Sequence, residues 1–187
     1  MRNITKDLSY IDVQFTGHSR FVATAVFQSP GGIALIDPGP SSCLGTLRAS
    51  LNKHGMNIAD VRAVLLTHIH LDHSGATGSL LRENPKIAVY VHEKGASHMV
   101  SPDKLLASAG RLYGSDMDRI FGEFLPVPKE NIQILTGGER IDIVDRQLEV
   151  AYVPGHASHH VAYFDSSSGV AFVGDTAGMR LGKALFI

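Results

Sequence analysis

Apolar positions along the chain fall into short runs, and the segments between them are rich in Gly, Pro and Ser. Phe21-Val22-Ala23-Thr24-Ala25-Val26-Phe27 and Ile33-Ala34-Leu35-Ile36 read as strands joined through Ser29-Pro30-Gly31-Gly32, a hairpin signal. Asp37-Pro38-Gly39-Pro40 stops the second strand. Leu44, Leu47 and Leu51 then recur at i, i+3 and i+7, which predicts a helix capped by Ser41 or Ser42 and ended at Gly55. Val61 to Leu66 is apolar with almost no alternation, the pattern of a strand buried on both faces. A helical stretch from Gly75 to Arg82 and a strand over Ile87-Ala88-Val89-Tyr90-Val91 follow. Strands alternating with helices favour an α/β layer architecture.

Residues 93–126 break this rhythm. They mix helix formers with Gly110, Gly114 and Gly122, and predict a helical insertion that could cover a site. Strands then resume at Ile141-Asp142-Ile143-Val144 and, after a turn at Asp145-Arg146, from Gln147 to Val153. Val161-Ala162-Tyr163-Phe164 and Val170-Ala171-Phe172-Val173 flank Ser166-Ser167-Ser168-Gly169, a second hairpin. Nothing in the composition divides residues 1–187, so a single domain is expected.

Composition narrows the function classes. A chain of 187 residues, 44% hydrophobic, is long enough to bury one sizeable core. Seventeen Lys and Arg against 18 Asp and Glu leave a net charge of −1, too small to gather phosphate backbone or an anionic membrane. The apolar runs fall far short of the roughly 18 residues a membrane span needs. The opening residues carry no apolar stretch of the secretory type, so a cytoplasmic protein is expected, acting on a small molecule. The single Cys43 excludes an intrachain disulfide and a multi-thiolate zinc site. Ten histidines remain, six of them in two short windows.

The first window is Thr67-His68-Ile69-His70-Leu71-Asp72-His73-Ser74-Gly75, at the end of the buried strand. Strand ends in α/β sheets open onto the crevice where ligands bind. On a helix His68 and Asp72 would share a face and His70 would point away, so the spacing is not helical. On a loop, His68 and His70 can converge on one point while Asp72 and His73 turn toward a second. A lone histidine is usually core or surface. Four ligand-type side chains in His-x-His-x-Asp-His order would cost several kcal/mol each if buried unpartnered, and metal binding removes that cost. Zn²⁺ suits neutral imidazole with carboxylate.

His68-x-His70-x-Asp72-His73 after an apolar strand resembles the signature of the metallo-β-lactamase-fold hydrolases. Three further segments agree in order: Ile36-Asp37-Pro38-Gly39 resembles that family's early strand-end turn, Pro154-Gly155-His156 its Pro-Gly-His loop, and Gly174-Asp175 its Gly-Asp segment. The resemblance runs from about residue 11 to 178 and implies an αββα sandwich of two similar halves. It also implies that His68, His70 and His156 hold a first metal, that Asp72 and His73 hold a second, and that Asp175 is shared. His159 and His160 would support ligands rather than act as ligands, and Asp37 would have a structural or supporting role. His18, His54, His92 and His98 are expected to have none in the site.

The resemblance is incomplete at one end. The family supplies a further His, strands and a closing helix beyond its Gly-Asp segment, and the sequence stops twelve residues after Asp175, with Leu181, Leu185, Phe186 and Ile187 in its last stretch. An incomplete second half, a weaker second metal site and either self-association or a missing C-terminal segment are the expectations. The implied activity is hydrolysis through a metal-bound hydroxide, with one or two zinc ions, or iron or manganese instead. The expected substrate is a small ester, lactone or thioester, with Asp72 relaying the proton. An iron-dependent persulfide dioxygenase and a truncated, inactive metal-binding domain are the alternatives.

Overall fold

The structure, a computed structural model, describes residues 1–177; the apolar stretch from Met179 to Ile187 lies outside the described residues. Two sheets face each other. The first has seven strands in sequence order: β1 (Arg2–Asn3), β2 (Leu8–Asp12), β3 (Ala23–Ser29), β4 (Gly32–Ile36), β5 (Val61–Leu65), β6 (Ala88–His92) and β7 (Ile132–Leu135). β1 to β4 pair antiparallel, and β4 to β7 pair parallel. The second sheet is an antiparallel meander of β8 (Arg140–Ile143), β9 (Arg146–Tyr152), β10 (Val161–Asp165) and β11 (Val170–Phe172).

Strand alternation sorts the core into two layers. Val26, Ile33, Leu35, Val61 and Val64 point to one face of the large sheet, where Leu47 and Leu51 of α1 (Leu44–Lys53) pack on them. Leu80 and Leu81 of α3 (Thr77–Glu83) and Met99 of α4 (Glu93–Val100) join that layer. Phe27, Ala34, Ile36 and Leu65 point to the other face and meet Leu148, Val150, Val161 and Tyr163 of the small sheet. Helix, sheet and sheet are three layers of the sandwich that the resemblance implies. β5 is buried on both faces because it lies in the middle of this stack.

Both predicted hairpins form, at Ser29–Gly32 and at Asp165–Val170. α1 begins after a short 3₁₀ turn, and neither serine caps it: Ser41 Oγ donates to the Gly75 carbonyl and Ser42 Oγ to that of Ile120. These hydroxyls tie the helix start to neighbouring segments instead.

Residues 93–126 are helical, as expected. They do not interrupt the sheet; they form most of the crossover between the parallel strands β6 and β7, a pairing that requires a long connection. α4 is a core-facing helix, while α5 (Asp103–Tyr113) and α6 (Met117–Phe121) pack with Phe15 and Leu71 in a separate apolar cluster. β7 was not expected, because Ile-Gln-Ile-Leu is short and its middle residues are exposed at the sheet edge. No helix among the described residues is long and apolar enough to cross a membrane.

Candidate metal centre

The parallel strands β4 and β5 deliver their C-terminal ends to one place. Asp37 directly follows β4; Leu66, Thr67 and His68 directly follow β5, and the four-residue helix α2 (Leu71–Ser74) carries Asp72 and His73. The loop between β9 and β10 brings His156, and the turn after β11 brings Asp175. His68, His70 and His156 each offer a ligand atom, all within 4.8 Å of one another; so do His68, His73 and Asp175. His68 belongs to both sets. Asp72 stands at the rim, its Oδ2 3.6 Å from His73 Nε2 and outside both clusters.

Hydrogen bonds fix which imidazole nitrogens face inward. Asp37 accepts from the Thr67 backbone N–H (2.8 Å) and from Thr67 Oγ1 (2.6 Å). The Thr67 hydroxyl proton is thereby used, so at 3.0 Å His68 Nδ1–H donates to Thr67 Oγ1. That leaves His68 Nε2 with its lone pair toward the cluster, fully buried and with no hydrogen-bond partner. The same Asp37 carboxylate accepts from His73 Nδ1 at 2.9 Å, which turns His73 Nε2 toward Asp175 Oδ1 at 3.2 Å. Asp37 itself sits at φ +51, a left-handed conformation that Asp tolerates, and is pinned there through its own N–H to Leu65 and its carbonyl to Thr24.

The electrostatics follow from this crowding. Burial, then the neighbouring His73, His70, His160 and His156, holds the His68 imidazole far below its ordinary pKa. Burial and then His156 lower His70. For His73 burial acts against the charged ring, but Asp37 and Asp175 outweigh it and raise the pKa well above the ordinary value. The bond from His73 is the main reason that Asp175 is lowered. Neutral His68 and His70 beside ionised Asp175 form a donor set suited to a borderline divalent cation. The buried, unpartnered Nε2 of His68 fits such an ion, because coordination would satisfy it.

His159 and His160 flank the ligands. His159 Nδ1 accepts from the Ile69 N–H at 3.4 Å, and burial, then His70 and His160, pushes its pKa down to about 4. His160, fully buried, accepts at Nε2 from the Asp175 N–H at 3.2 Å. That contact depends on Gly174, at φ +50: a Cβ there would lie 2.5 Å from His160 Nε2 and 2.7 Å from Thr67 Oγ1. Thr67 and Gly174 stand within the quoted motifs, but the sequence gives them no role of their own. Each adjoins a candidate ligand, and Gly174 also belongs to the segment that resembles the family's Gly-Asp turn. His18, His54, His92 and His98 fall in neither ligand cluster.

Comparisons with known proteins identify the family. Residues 20–182 match the metallo-beta-lactamase superfamily. A hydroxyacylglutathione hydrolase from Thermosynechococcus vestitus is 32% identical over 78% of this chain and 44% of its own length. One from Buchnera aphidicola is 27% identical over 81% of this chain and 45% of its own. The chain thus spans less than half the length of these relatives. Among solved structures, an archaeal metallo-beta-lactamase superfamily protein from Sulfolobus tokodaii is 25% identical with a TM-score of 0.71, covering 95% of this chain and 66% of that one. The native metallo-beta-lactamase from Legionella gormanii, 21% identical, shares the fold at a TM-score of 0.70 over 98% of this chain and 66% of that one. The chain belongs to the metallo-beta-lactamase superfamily.

Proposed function

We propose that the chain is a metal-dependent hydrolase of a small, partly apolar thioester, ester or lactone. On this reading His68, His70 and His156 hold a first ion, Asp72 and His73 hold a second, and Asp175 is shared; zinc is the favoured metal over iron or manganese. The observation that carries the proposal is the fully buried His68 Nε2, aimed at the other donors with no protein partner. Leaving such an atom unsatisfied costs about 1–3 kcal/mol, which a bound cation would recover.

Bound divalent ions lower the pKa of a coordinated water toward neutrality and polarise a scissile carbonyl. The chain's own residues do the rest. Asp37 and Thr67 lock the tautomers and ring planes of His68 and His73, the kind of outer support that tunes a metal site. Asp72, a third exposed beside His73, is placed to take the proton from the attacking water and pass it to the leaving group.

Substrate class rests on the surroundings. Leu71, directly after His70, packs with Phe15, Leu105, Phe121 and Phe124, so an apolar wall stands beside the centre. Segment 120–125 is anchored by the Ser42–Ile120 bond and by Glu123, which accepts from Ser79 and Arg82. Tyr113, 43% exposed, lies at the end of α5 and packs edge-on against Phe121. We read α5 and α6 as the cover for an acyl group. The hydroxyacylglutathione hydrolases among the relatives make a hydroxyacyl thioester the first substrate to try. The proposal includes a cytoplasmic location, with which the buried, unpaired Cys43 is compatible, and self-association or a further C-terminal segment as the open alternatives for the assembly.

The test is turnover of an S-(hydroxyacyl)glutathione, a simple ester and a lactone by the chain stripped with chelator and then reloaded with zinc. Hydrolysis only after reloading supports the proposal. Oxygen uptake with iron and a persulfide would favour the dioxygenase alternative. Full zinc loading without turnover would favour a domain that binds metal only.

A further inference from the structure

The six ligand side chains are not held equally. His68 and His73 are fixed through Nδ1 by Thr67 and Asp37. His156 is different: its ring contacts among the described residues are with the cluster itself, to His70 Nδ1 at 3.0 Å and Asp175 Oδ2 at 3.4 Å. Its placement therefore rests on the backbone of its loop, residues 153–160. The base of that loop is closed by Val153 N–H to the His160 carbonyl and by His160 N–H to the Ala157 carbonyl, each 3.0 Å.

One side chain braces the middle. Tyr152, the last residue of β9, reaches the Ser158 carbonyl with its hydroxyl at 2.8 Å. Lys94 Nζ lies 2.7 Å from the Tyr152 hydroxyl oxygen. An ammonium can only donate, so the phenol oxygen accepts from Lys94 and its own proton goes to Ser158. The ring lies flat against the buried His92, centroids 4.4 Å apart at 6°. Gly137 makes room on the other side: at φ +96, a Cβ there would stand 2.5 Å from Tyr152 Cβ. Lys94 and His92 belong to the end of β6 and the start of α4, so the brace ties the His156 loop to the large sheet.

We propose that Tyr152, held and polarised by Lys94, is the positioning residue that sets His156 for metal binding. It rests on the metal-centre reading above. A charge-assisted bond is stronger than a neutral one, and a phenol already accepting from an ammonium is a better donor. Its loss would free Ser158, two residues from His156, while leaving the base of the loop intact.

Zinc affinity measured by competition with a chromophoric chelator tests the inference, together with the visible spectrum of the cobalt-loaded chain. Tyr152→Phe keeps the ring on His92 and removes only the hydroxyl; Lys94→Met removes the cation. Tyr152→Phe should weaken the first ion about tenfold and change the cobalt spectrum, since losses outside the ligand set cost about 10–100-fold. Lys94→Met should act in the same direction by less. Affinity within twofold of the parent in both variants, with unchanged spectra, overturns the inference, and so does a lower melting temperature with affinity intact, which would make the brace merely structural. A parent chain that binds no metal overturns the centre itself.

Discussion

Asp175 divides its carboxylate between two histidines, Oδ1 at 3.2 Å from His73 Nε2 and Oδ2 at 3.4 Å from His156 Nε2. These two histidines belong to different halves of the ligand set, one on α2 and one on the loop before β10. On the proposed assignment this carboxylate is the ligand shared by the two ions. Its backbone N–H bonds to His160, so its place depends on a side chain that is not itself proposed as a ligand.

Gly174→Ala should damage this arrangement more than a buried methyl normally would. The added Cβ meets His160 Nε2 and Thr67 Oγ1, and Ala is disfavoured at φ +50. We expect zinc affinity to fall tenfold or more, read by chelator competition. Parent-like affinity would show that Asp175 does not depend on this turn.

Asp72→Asn separates rate from folding. Asn keeps the shape and loses the basicity, so kcat with a zinc-loaded chain should fall about 10²-fold or more. The melting temperature of the metal-free chain should barely move, because Asp72 is partly exposed at the rim. An equal loss of stability with kinetics intact would make Asp72 structural.

The proposed cover gives a pair of contrasting variants. Tyr113→Ala removes a half-exposed ring and should change KM across a series of acyl lengths while metal content stays constant. Phe121 is only 5% exposed, so Phe121→Ala should instead cost about 3–5 kcal/mol in urea unfolding. A KM series indifferent to Tyr113 would remove the cover from the account.

How far the site could be read from the chain depends on distance along it. His68, His70, Asp72 and His73 were legible together because a short loop carries them all. His156 and Asp175 have no local signal of their own, and only resemblance to other proteins joined them to the first four. Thr67 was not legible, because its role lies in a hydroxyl already committed to Asp37 and a tautomer that follows from it. In the fold, β3, β4 and β5 were plain from apolar runs and turn residues. The helical character of residues 93–126 was legible, but not that they connect the parallel strands β6 and β7, because the core face of α4 is only Gly95, Ala96 and Met99.

Acid should unfold the metal-free chain. His68, His70, His92, His159 and His160 have lowered pKa values in the folded state, for His159 to about 4. The stability that they contribute is complete above the unfolded value of about 6.5 and is lost as the pH falls toward the folded values. His73, with its raised pKa, runs the other way: its contribution is present below about 6.5 and lost as the pH rises through the folded value. Five rings against one predict a lower urea midpoint at pH 5 than at pH 7.5. A higher midpoint at pH 5 would mean that the His73 pairing outweighs the buried neutral rings.

The central claim is that His68, His70 and His156 together hold an ion, and equilibrium dialysis against zinc tests it most directly. The parent chain should retain at least one zinc per chain. The double variant His68→Ala, His156→Ala leaves one of three nitrogens and should retain less than stoichiometric zinc under the same conditions, since losing a direct ligand costs more than the 10–100-fold of an outer-support loss. A double variant that still holds stoichiometric zinc at these residues' expense would contradict the assignment.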